Sequence, residues 1–348
     1  MMSREIRRFD IQFKDPMATF RPGDVLAGSV QLELSQDLKM RGVKLFLQGI
    51  SRVALKEERS YTKGSATNVL RKNVDVYLDE PIIVCPTVEG NSMKPGRYDW
   101  PFNLRLPPFL PSSFEGQYGR VQYWAKAVID RPWKGDSDFT RNFTVLGQLD
   151  LNTEEDARKS IEGIGDTMAG SLCFKSGPVT GQIVLPQRGY VSGQCIPFTV
   201  RVQNKSKKAL RNVRVTLTQV GFFKAEGQTK KQTVLLKGLT WRDITAGENI
   251  TWEDELKNIP AVPPSRLGAG CKCIDVKYLV SLVASTGSGK GLEVPVEVII
   301  GTIPLRKTEA GTPKLTVKAA AKKNLDATEL KGEAKPRPSP RPSPGRMQ

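Results

Sequence analysis

Apolar and polar residues alternate with a period of two along much of this sequence, as at residues 43–48, 213–218 and 293–298. A β-strand with one buried and one solvated face requires this period. Turn signals separate the alternating stretches, among them the proline pairs at 107–108 and 263–264. Many short strands divided by regular turn signals predict an all-β protein built from β-sandwiches.

The sequence also repeats itself at an offset of about 150–170 residues. The matching pairs, in chain order, are residues 21–28 with 188–193, 40–47 with 210–217, 106–112 with 259–265, and 121–123 with 276–278. Four matches in the same order predict two copies of one sandwich. The polar stretch at 151–170 predicts a linker, so the expected domains are 1–150 and 171–305.

Residues 306–348 have a different composition, with eleven Lys or Arg, four Asp or Glu, six prolines and no aromatic residue. Such a segment cannot bury enough apolar surface to offset its ordering entropy, so we expect a disordered basic tail. Ser339 and Ser343 each precede a proline, which makes them candidate sites for proline-directed kinases. Each phosphate brings about −1.5 to −2 charge and weakens attraction to an anionic surface.

The chain contains no histidine, and its five cysteines are scattered. The absence of histidine excludes Ser-His-Asp and Cys-His catalysis and histidine-ligated metals. Cys271 and Cys273 are too close in sequence for a zinc knuckle. We therefore expect ordinary reduced thiols, with redox sensing or a stray metal ligand as the alternatives. The glycine-rich stretch at 287–291 lacks the P-loop pattern. The sequence predicts no enzyme activity, no cofactor and no metal.

The sequence has no segment typical of targeting or membrane insertion. The arginines near its beginning are followed by no apolar run, so they do not form a secretory signal. No stretch approaches the ~18 uninterrupted apolar residues of a membrane-spanning helix. These observations predict a soluble cytoplasmic protein.

Several segments of both halves carry a family resemblance. They are residues 22–28, 38–49, 111–127 and 131–133 in the first half, and residues 176–179, 188–190, 259–260 and 300–305 in the second. Together they resemble the arrestin family, specifically its α-arrestin (arrestin domain-containing) branch. The resemblance implies two tandem arrestin-type, immunoglobulin-like β-sandwiches. It also implies an adaptor that works with the endocytic machinery. Such an adaptor binds cytosolic tails of membrane receptors or transporters and directs their ubiquitination, endocytosis and endosomal sorting.

Arg7, Arg8 and Lys14 are the candidate contact residues in this interpretation. The chain has a formal net charge of +17, and the resemblance implies that the first strand region meets acidic partners. We expect these residues to contact phosphorylated cargo tails or anionic lipid, where each basic residue gains about 1 kcal/mol. The alternative is a solvated strand face. The basic tail is a second candidate for peripheral membrane contact. Nucleic acid is not an expected partner, because the basic stretches lack interleaved aromatic residues.

One departure from the family pattern concerns ubiquitin ligases. Family members commonly carry PPxY motifs, which recruit the WW domains of HECT-type ligases. Here the two proline pairs are followed by Phe109-Leu110 and Ser265-Arg266, and the tail has no tyrosine. A WW groove needs the aromatic ring beside the polyproline surface. We therefore expect indirect ligase recruitment, through a PPxY-bearing partner. The alternative is a structural sorting-coat (retromer-like) or signalling scaffold without ligase recruitment.

Overall fold

The computed structural model describes residues 4–62, 65–86, 92–132, 135, 137–171, 174–268, 270–286 and 291–306. Strands make up most of this described part, and the helical structure within it is a single 3-10 turn, Ser265–Leu267. The alternation predicted from the sequence places one face of most strands in the hydrophobic core. The predicted all-β fold is confirmed. The predicted tail lies outside the described residues, apart from Arg306.

The N-terminal sandwich contains two main sheets. Its strands are β1 (Ile6–Phe13), β2 (Thr19–Phe20), β3 (Val25–Leu34), β4 (Leu38–Lys39), β5 (Gly42–Thr62), β6 (Ser65–Cys85), β7 (Ser92–Met93), β8 (Gly96–Arg105), β9 (Phe114–Glu115), β10 (Gly119–Asp130) and β11 (Ser137–Val145). One sheet has the order β1-β3-β8, and the other has the order β2-β11-β10-β5-β6 with β9 beside β10. The pairing of β5 with β10 ends at Val53, and the β5–β6 hairpin continues past it.

The C-terminal sandwich is also built from two sheets. Its strands are β12 (Ile161–Ser171), β13 (Phe174–Leu185), β14 (Gly189–Val191), β15 (Ile196–Asn204), β16 (Arg211–Ala225), β17 (Gln228–Thr240), β18 (Asn249–Leu256), β19 (Ile274–Ser285) and β20 (Leu292–Gly301). A four-stranded sheet has the order β12-β13-β15-β18, and a five-stranded sheet has the order β14-β20-β19-β16-β17.

The internal repeat of the sequence is visible in the strand pairing. β5 lies between β10 and β6, as β16 lies between β19 and β17. The short strands β2 and β14 each run parallel to the last strand of their sandwich. A buried tyrosine marks the same place in both copies. The Tyr123 hydroxyl donates to the Pro111 carbonyl at 2.7 Å, and the Tyr278 hydroxyl donates to the Pro263 carbonyl at 2.6 Å. The prediction of two tandem sandwiches is confirmed.

Part of the segment that the sequence predicts to be a linker is a strand. β12 pairs antiparallel with β13 and is the outermost strand of its sheet. The glycines that suggest a linker instead let β12 approach the opposite sheet. A Cβ atom on Gly163 would lie 2.7 Å from Cγ1 of Val296, and one on Gly165 would lie 3.0 Å from Cγ2 of Val294. Only residues 151–160 form turns between the two sandwiches.

The two sandwiches are in direct contact. Phe223 of β16 is buried beside Phe114 and Tyr118, with ring centroids 6.2 and 5.6 Å from its own. The backbone N–H of Ser112 donates to the Leu267 carbonyl at 2.8 Å. Apolar packing and main-chain hydrogen bonding therefore both join the N-terminal sandwich to the C-terminal one.

Candidate functional site

The first strand positions the basic residues that the sequence predicts to contact cargo. Its inward positions hold buried apolar side chains, so the positions between them point outward. Arg8 and Lys14 share this outer face and lie about 20 Å apart along the extended strand. Arg7 lies at a register shift next to Arg8. Lys14 is exposed, and no carboxylate among the described residues forms an ion pair with it. The structure thus groups Arg7 with Arg8 and places Lys14 at the opposite end.

Carboxylates lie beside the two arginines. Nη2 of Arg8 is 3.2 Å from Oδ2 of Asp10, and Nη1 of Arg7 is 3.9 Å from Oε1 of Glu33. Arg97 of β8 pairs with the same Glu33 at 3.4 Å. Exposed ion pairs of this kind contribute little to stability. Their significance is that the outer face of the β1-β3-β8 sheet carries both charges and is not a uniform basic patch.

The edge of β1 that faces away from β3 is closed by two side chains. The backbone N–H of Ile11 donates to Oδ1 of Asp10 at 2.7 Å, and its carbonyl accepts from Nη1 of Arg141 at 2.8 Å. Arg141 also lies 3.9 Å from the Asp10 carboxylate and 5.8 Å from the ring centroid of Phe13. We term Asp10 and Arg141 the β1 clamp. Within the described ranges, no strand pairs with this edge.

Arg141 is a candidate functional residue that the sequence analysis missed. It lies on β11 at a position where the alternation points inward, between Phe139 and Phe143. Inward-pointing charged residues are one device by which natural sheets block pairing at an exposed edge. The signal that would have identified Arg141 is this charged residue in an otherwise apolar series.

The C-terminal sandwich has a strand at the place that the β1 clamp occupies. Ile11 of β1 pairs with Val30, which lies seven residues after the turn glycine Gly23. Ile183 of β13 pairs with Val200, which lies seven residues after Gly193, so Ile183 corresponds to Ile11. Arg141 lies two residues before Phe143, the strand partner of Tyr123. Val296 lies two residues before Val298, the strand partner of Tyr278, so Val296 corresponds to Arg141. Ile183 is paired with Gly163 of β12, and Val296 lies against the same glycine. In the C-terminal sandwich, β12 therefore occupies the position that the side chains of Asp10 and Arg141 occupy in the N-terminal sandwich.

A second polar cluster lies between the two sandwiches. Cys271 and Cys273 precede β19 and face Ser51 on β5 and Asp75 and Tyr77 on β6. The Ser51 hydroxyl oxygen is 3.0 Å from Sγ of Cys273 and 3.0 Å from the Tyr77 oxygen. The Tyr77 hydroxyl donates to Sγ of Cys271 at 3.1 Å. We term these five residues the thiol cluster. The sequence predicts ordinary reduced thiols with no assigned neighbours, and the fold brings two of them against polar groups of the other sandwich.

Hydrogen bonding makes the two clustered cysteines unlike each other. The pKa of Cys271 is lowered to about 6, first by the hydrogen bond from the Cys273 thiol and then, against the effect of burial, by those from Tyr77 and Ser51. The pKa of Cys273 is raised, because its proton is held in that hydrogen bond and because the thiol is buried. Burial, followed by the hydrogen bond to Cys271, also raises the pKa of Tyr77. Cys271 is therefore the more acidic thiol of the pair.

Some sequence-predicted features cannot be placed in this geometry. Ser339, Ser343 and the rest of the tail after residue 306 lie outside the described residues, as does Trp133 of the motif at 131–133. Among the described residues, no helix has the length and apolar character needed to cross a bilayer.

Each of the two sandwiches matches one domain of a known protein family. Residues 9–152 match the family described as the N-terminal domain of arrestin (or S-antigen), and residues 175–305 match the corresponding C-terminal domain. The chain belongs to the arrestin family. The resemblance inferred from the sequence is thereby confirmed, and the edge of β1 and both halves of the thiol cluster lie within the matched residues of this arrestin.

Two of the relatives of this arrestin are named as arrestin domain-containing proteins. Arrestin domain-containing protein 17 of Caenorhabditis elegans is 29% identical over 337 residues, covering 94% of this chain and 78% of that protein. Arrestin domain-containing protein 4 of Homo sapiens is 28% identical, covering 86% of this chain and 72% of that protein. Thioredoxin-interacting protein of Mus musculus is 25% identical, covering 87% and 75%. These relatives are consistent with the α-arrestin branch, and membership in the arrestin family supports an adaptor or scaffold role.

Proposed function

We propose that this arrestin is a cytoplasmic, non-catalytic adaptor for membrane receptors and transporters. It binds their cytosolic tails and, with the endocytic machinery, directs these cargo proteins to ubiquitination, endocytosis and endosomal sorting. Membership in the α-arrestin branch supports the adaptor role. The observation that carries the recognition step is the edge of β1, because a strand covers the corresponding edge of β13 in the other sandwich.

Recognition proceeds by addition of a cargo strand to β1. In an antiparallel pair, alternate residues direct their backbone groups toward the partner strand and away from it. Ile11 directs its groups away from β3, so Phe9 and Phe13 do the same. An added strand pairs with these three residues and displaces Asp10 and Arg141 from Ile11. Main-chain hydrogen bonds then supply affinity, and alternate side chains supply specificity.

Arg141 selects the charge of the added strand. Its counterpart in the C-terminal sandwich is apolar and lies against a glycine of β12. The cargo residue opposite Ile11 faces a guanidinium instead, and a carboxylate or phosphate at that position makes a charge-assisted hydrogen bond with it. Arg7, Arg8 and Lys14 extend the preference for acidic or phosphorylated tails along the outer face of the strand.

The tail supports recruitment to the plasma membrane and to endosomes. Residues 306–348 carry an excess of seven positive charges. Basic segments are attracted to the anionic cytoplasmic leaflet, and the attraction falls off within a Debye length. Phosphorylation of Ser339 and Ser343 lowers this charge and releases the tail from the membrane.

Ubiquitination of cargo uses a ligase that this chain reaches indirectly. Neither proline pair of the sequence, 107–108 or 263–264, is followed by the tyrosine of a PPxY motif. A WW domain of a HECT-type ligase needs that ring to bind. The ligase is therefore recruited through a PPxY-bearing partner of the same family.

Proximity labelling in living cells tests this function. A labelling enzyme fused to the full chain should enrich membrane receptors or transporters together with endocytic proteins. A variant with Arg7→Glu, Arg8→Glu and Lys14→Glu should lose the cargo and keep the endocytic proteins. A matched variant with Lys230→Glu, Lys231→Glu and Lys237→Glu, which reverses three exposed charges on β17, should keep both. Labelling without any membrane cargo would contradict the proposal.

A structural component of a sorting coat is the second candidate, and the missing PPxY motif favours it. A coat component fractionates in a stoichiometric complex whose composition does not change when receptors are stimulated. An adaptor associates with cargo on stimulation. Size fractionation before and after stimulation therefore separates the two functions.

A further inference from the structure

The thiol cluster brings metal-ligating atoms of both sandwiches together. One carboxylate oxygen of Asp75 and the sulfur atoms of Cys271 and Cys273 all lie within 4.8 Å of one another. The Tyr77 oxygen is 3.1 Å from Sγ of Cys271 and 3.4 Å from Oδ2 of Asp75. Four atoms that can bind a cation therefore lie close together, and they come from two segments almost 200 residues apart in the sequence.

The spacing of the two sulfur atoms suits a tetrahedral metal. Sγ of Cys271 and Sγ of Cys273 are 3.9 Å apart. Two thiolates bound to tetrahedral zinc at about 2.3 Å lie about 3.8 Å from each other. A disulfide requires about 2.05 Å. Cys273 is buried, whereas Cys271 and Asp75 are half-buried, so two of the three residues are partly accessible to solvent.

The charge of the thiol cluster also favours a cation. Asp75 forms no ion pair with a lysine or arginine of the residues that the structure describes. A half-buried carboxylate next to two thiols is therefore stabilised by hydrogen bonds alone, at 3.4 Å from the hydroxyls of Ser51 and Tyr77. Partly buried anionic groups of this kind are commonly paired with a cation or coordinate a metal.

We propose that Asp75, Cys271 and Cys273 bind one Zn²⁺ ion, with the fourth position taken by the Tyr77 oxygen or by water. Binding forms two Zn–S bonds and one Zn–O bond to Asp75 and releases to solvent whatever protons the two sulfur atoms still hold, with no change of oxidation state. The Ser51 hydroxyl, 3.0 Å from Sγ of Cys273, orients that ligand from outside the coordination shell. The ion joins β6 of the N-terminal sandwich to the segment before β19 and so holds the two sandwiches together.

Titration of the reduced full chain with Co²⁺, and then with Zn²⁺, tests the proposal. Co²⁺ should give a thiolate-to-metal charge-transfer band that saturates at one ion per chain, and Zn²⁺ should abolish the band. Cys271→Ser and Cys273→Ser should each remove the band, and Asp75→Asn should weaken binding at least tenfold. Cys195→Ser, a change at a partly exposed cysteine outside the cluster, should leave the titration unchanged.

Thermal unfolding shows whether the variants still fold. In a chelator, the variants should unfold at the same Tm as the unchanged chain. A saturating excess of Zn²⁺ should raise the Tm of the unchanged chain and of Cys195→Ser by a few degrees. It should not raise the Tm of Cys271→Ser or of Cys273→Ser. The absence of a Co²⁺ band in the unchanged chain would overturn the proposal. A band that survives Cys271→Ser or Cys273→Ser, or that is lost in Cys195→Ser, would overturn it too.

Discussion

The two sandwiches of this arrestin share one fold but treat the same sheet edge differently. In the C-terminal sandwich β12 covers β13, and its glycines pass over Val294 and Val296. In the N-terminal sandwich the place beside β1 holds the side chains of Asp10 and Arg141. One backbone arrangement therefore serves either as a completed sheet or as a clamped edge. The residue on the last strand, valine or arginine, distinguishes the two.

Exchanging the residues at this position has the largest expected effect. Val296→Arg places a charge under β12, where a glycine already touches the valine, and should lower the free energy of unfolding by about 3–5 kcal/mol. Arg141→Val should cost less than about 1 kcal/mol, because the arginine side chain is 41% exposed. Denaturant unfolding measures both values.

Glu293→Arg is the control for this exchange, because it introduces the same side chain at an exposed position of the same strand. It should change stability by no more than about 0.5 kcal/mol. Equal losses in Val296→Arg and Arg141→Val would mean that the two positions have similar surroundings, which contradicts the comparison.

The paired tyrosines give the next largest effect. Tyr123→Phe leaves the Pro111 carbonyl without its hydrogen bond and should destabilise the fold by about 1–3 kcal/mol. Tyr278→Phe should cost more, because the hydroxyl of Tyr278 also accepts from Nε2 of Gln219 at 2.9 Å. Thermal unfolding of the two variants measures the order. A smaller loss in Tyr278→Phe than in Tyr123→Phe would contradict the additional bond.

Charge reversal on β1 should have a smaller effect, on binding. Arg8→Glu and Lys14→Glu should each weaken an acidic extended peptide by about threefold to fivefold, the range of exposed ion pairs. Fluorescence anisotropy with a labelled peptide measures the change, which should shrink in high salt because the charges are screened. Lys231→Glu on β17 is the matched control. If it weakened binding equally, a general charge effect would replace recognition by β1.

The smallest expected effect is a pH dependence of stability caused by Glu248 of the C-terminal sandwich. The hydrogen bond from Arg242, followed by that from the Thr245 backbone, lowers the pKa of Glu248 from 4.5 to about 2. A folded-state pKa below the unfolded one gives stability that is complete above about pH 4.5 and lost as the pH falls toward 2. The difference in Tm between the unchanged chain and Glu248→Gln should therefore be larger at pH 7 than at pH 2. A constant difference would contradict the assigned shift.

Local patterns predict much of this fold, and their failures have physical causes. Alternation with a period of two is a property of each strand by itself, so it predicts the all-β class, and the internal repeat predicts two sandwiches. The linker prediction at 151–170 was wrong in its second half, because glycine there serves close packing of β12 on Val296. That role depends on the opposite sheet, which the local sequence does not contain.

The candidate sites show the same limit. Arg7, Arg8 and Lys14 follow from the charge of the first strand, but the carboxylate beside Arg7, Glu33, comes from pairing with β3. Arg141 is detectable as a charged residue in an inward position of β11. The thiol cluster is not detectable from the sequence, because Asp75 and Cys271 come together only when the two sandwiches are in contact.

Hydrogen exchange of backbone amides can detect a strand added to the edge of β1. The probe is a synthetic peptide with a glutamate between two valines at alternate positions, added to the full chain. We predict slower exchange at Phe9, Ile11 and Phe13 when the peptide binds, and no change at Ile183, which β12 already covers. A peptide that binds while exchange along β1 stays the same, or that protects the C-terminal sandwich instead, would contradict strand addition at β1.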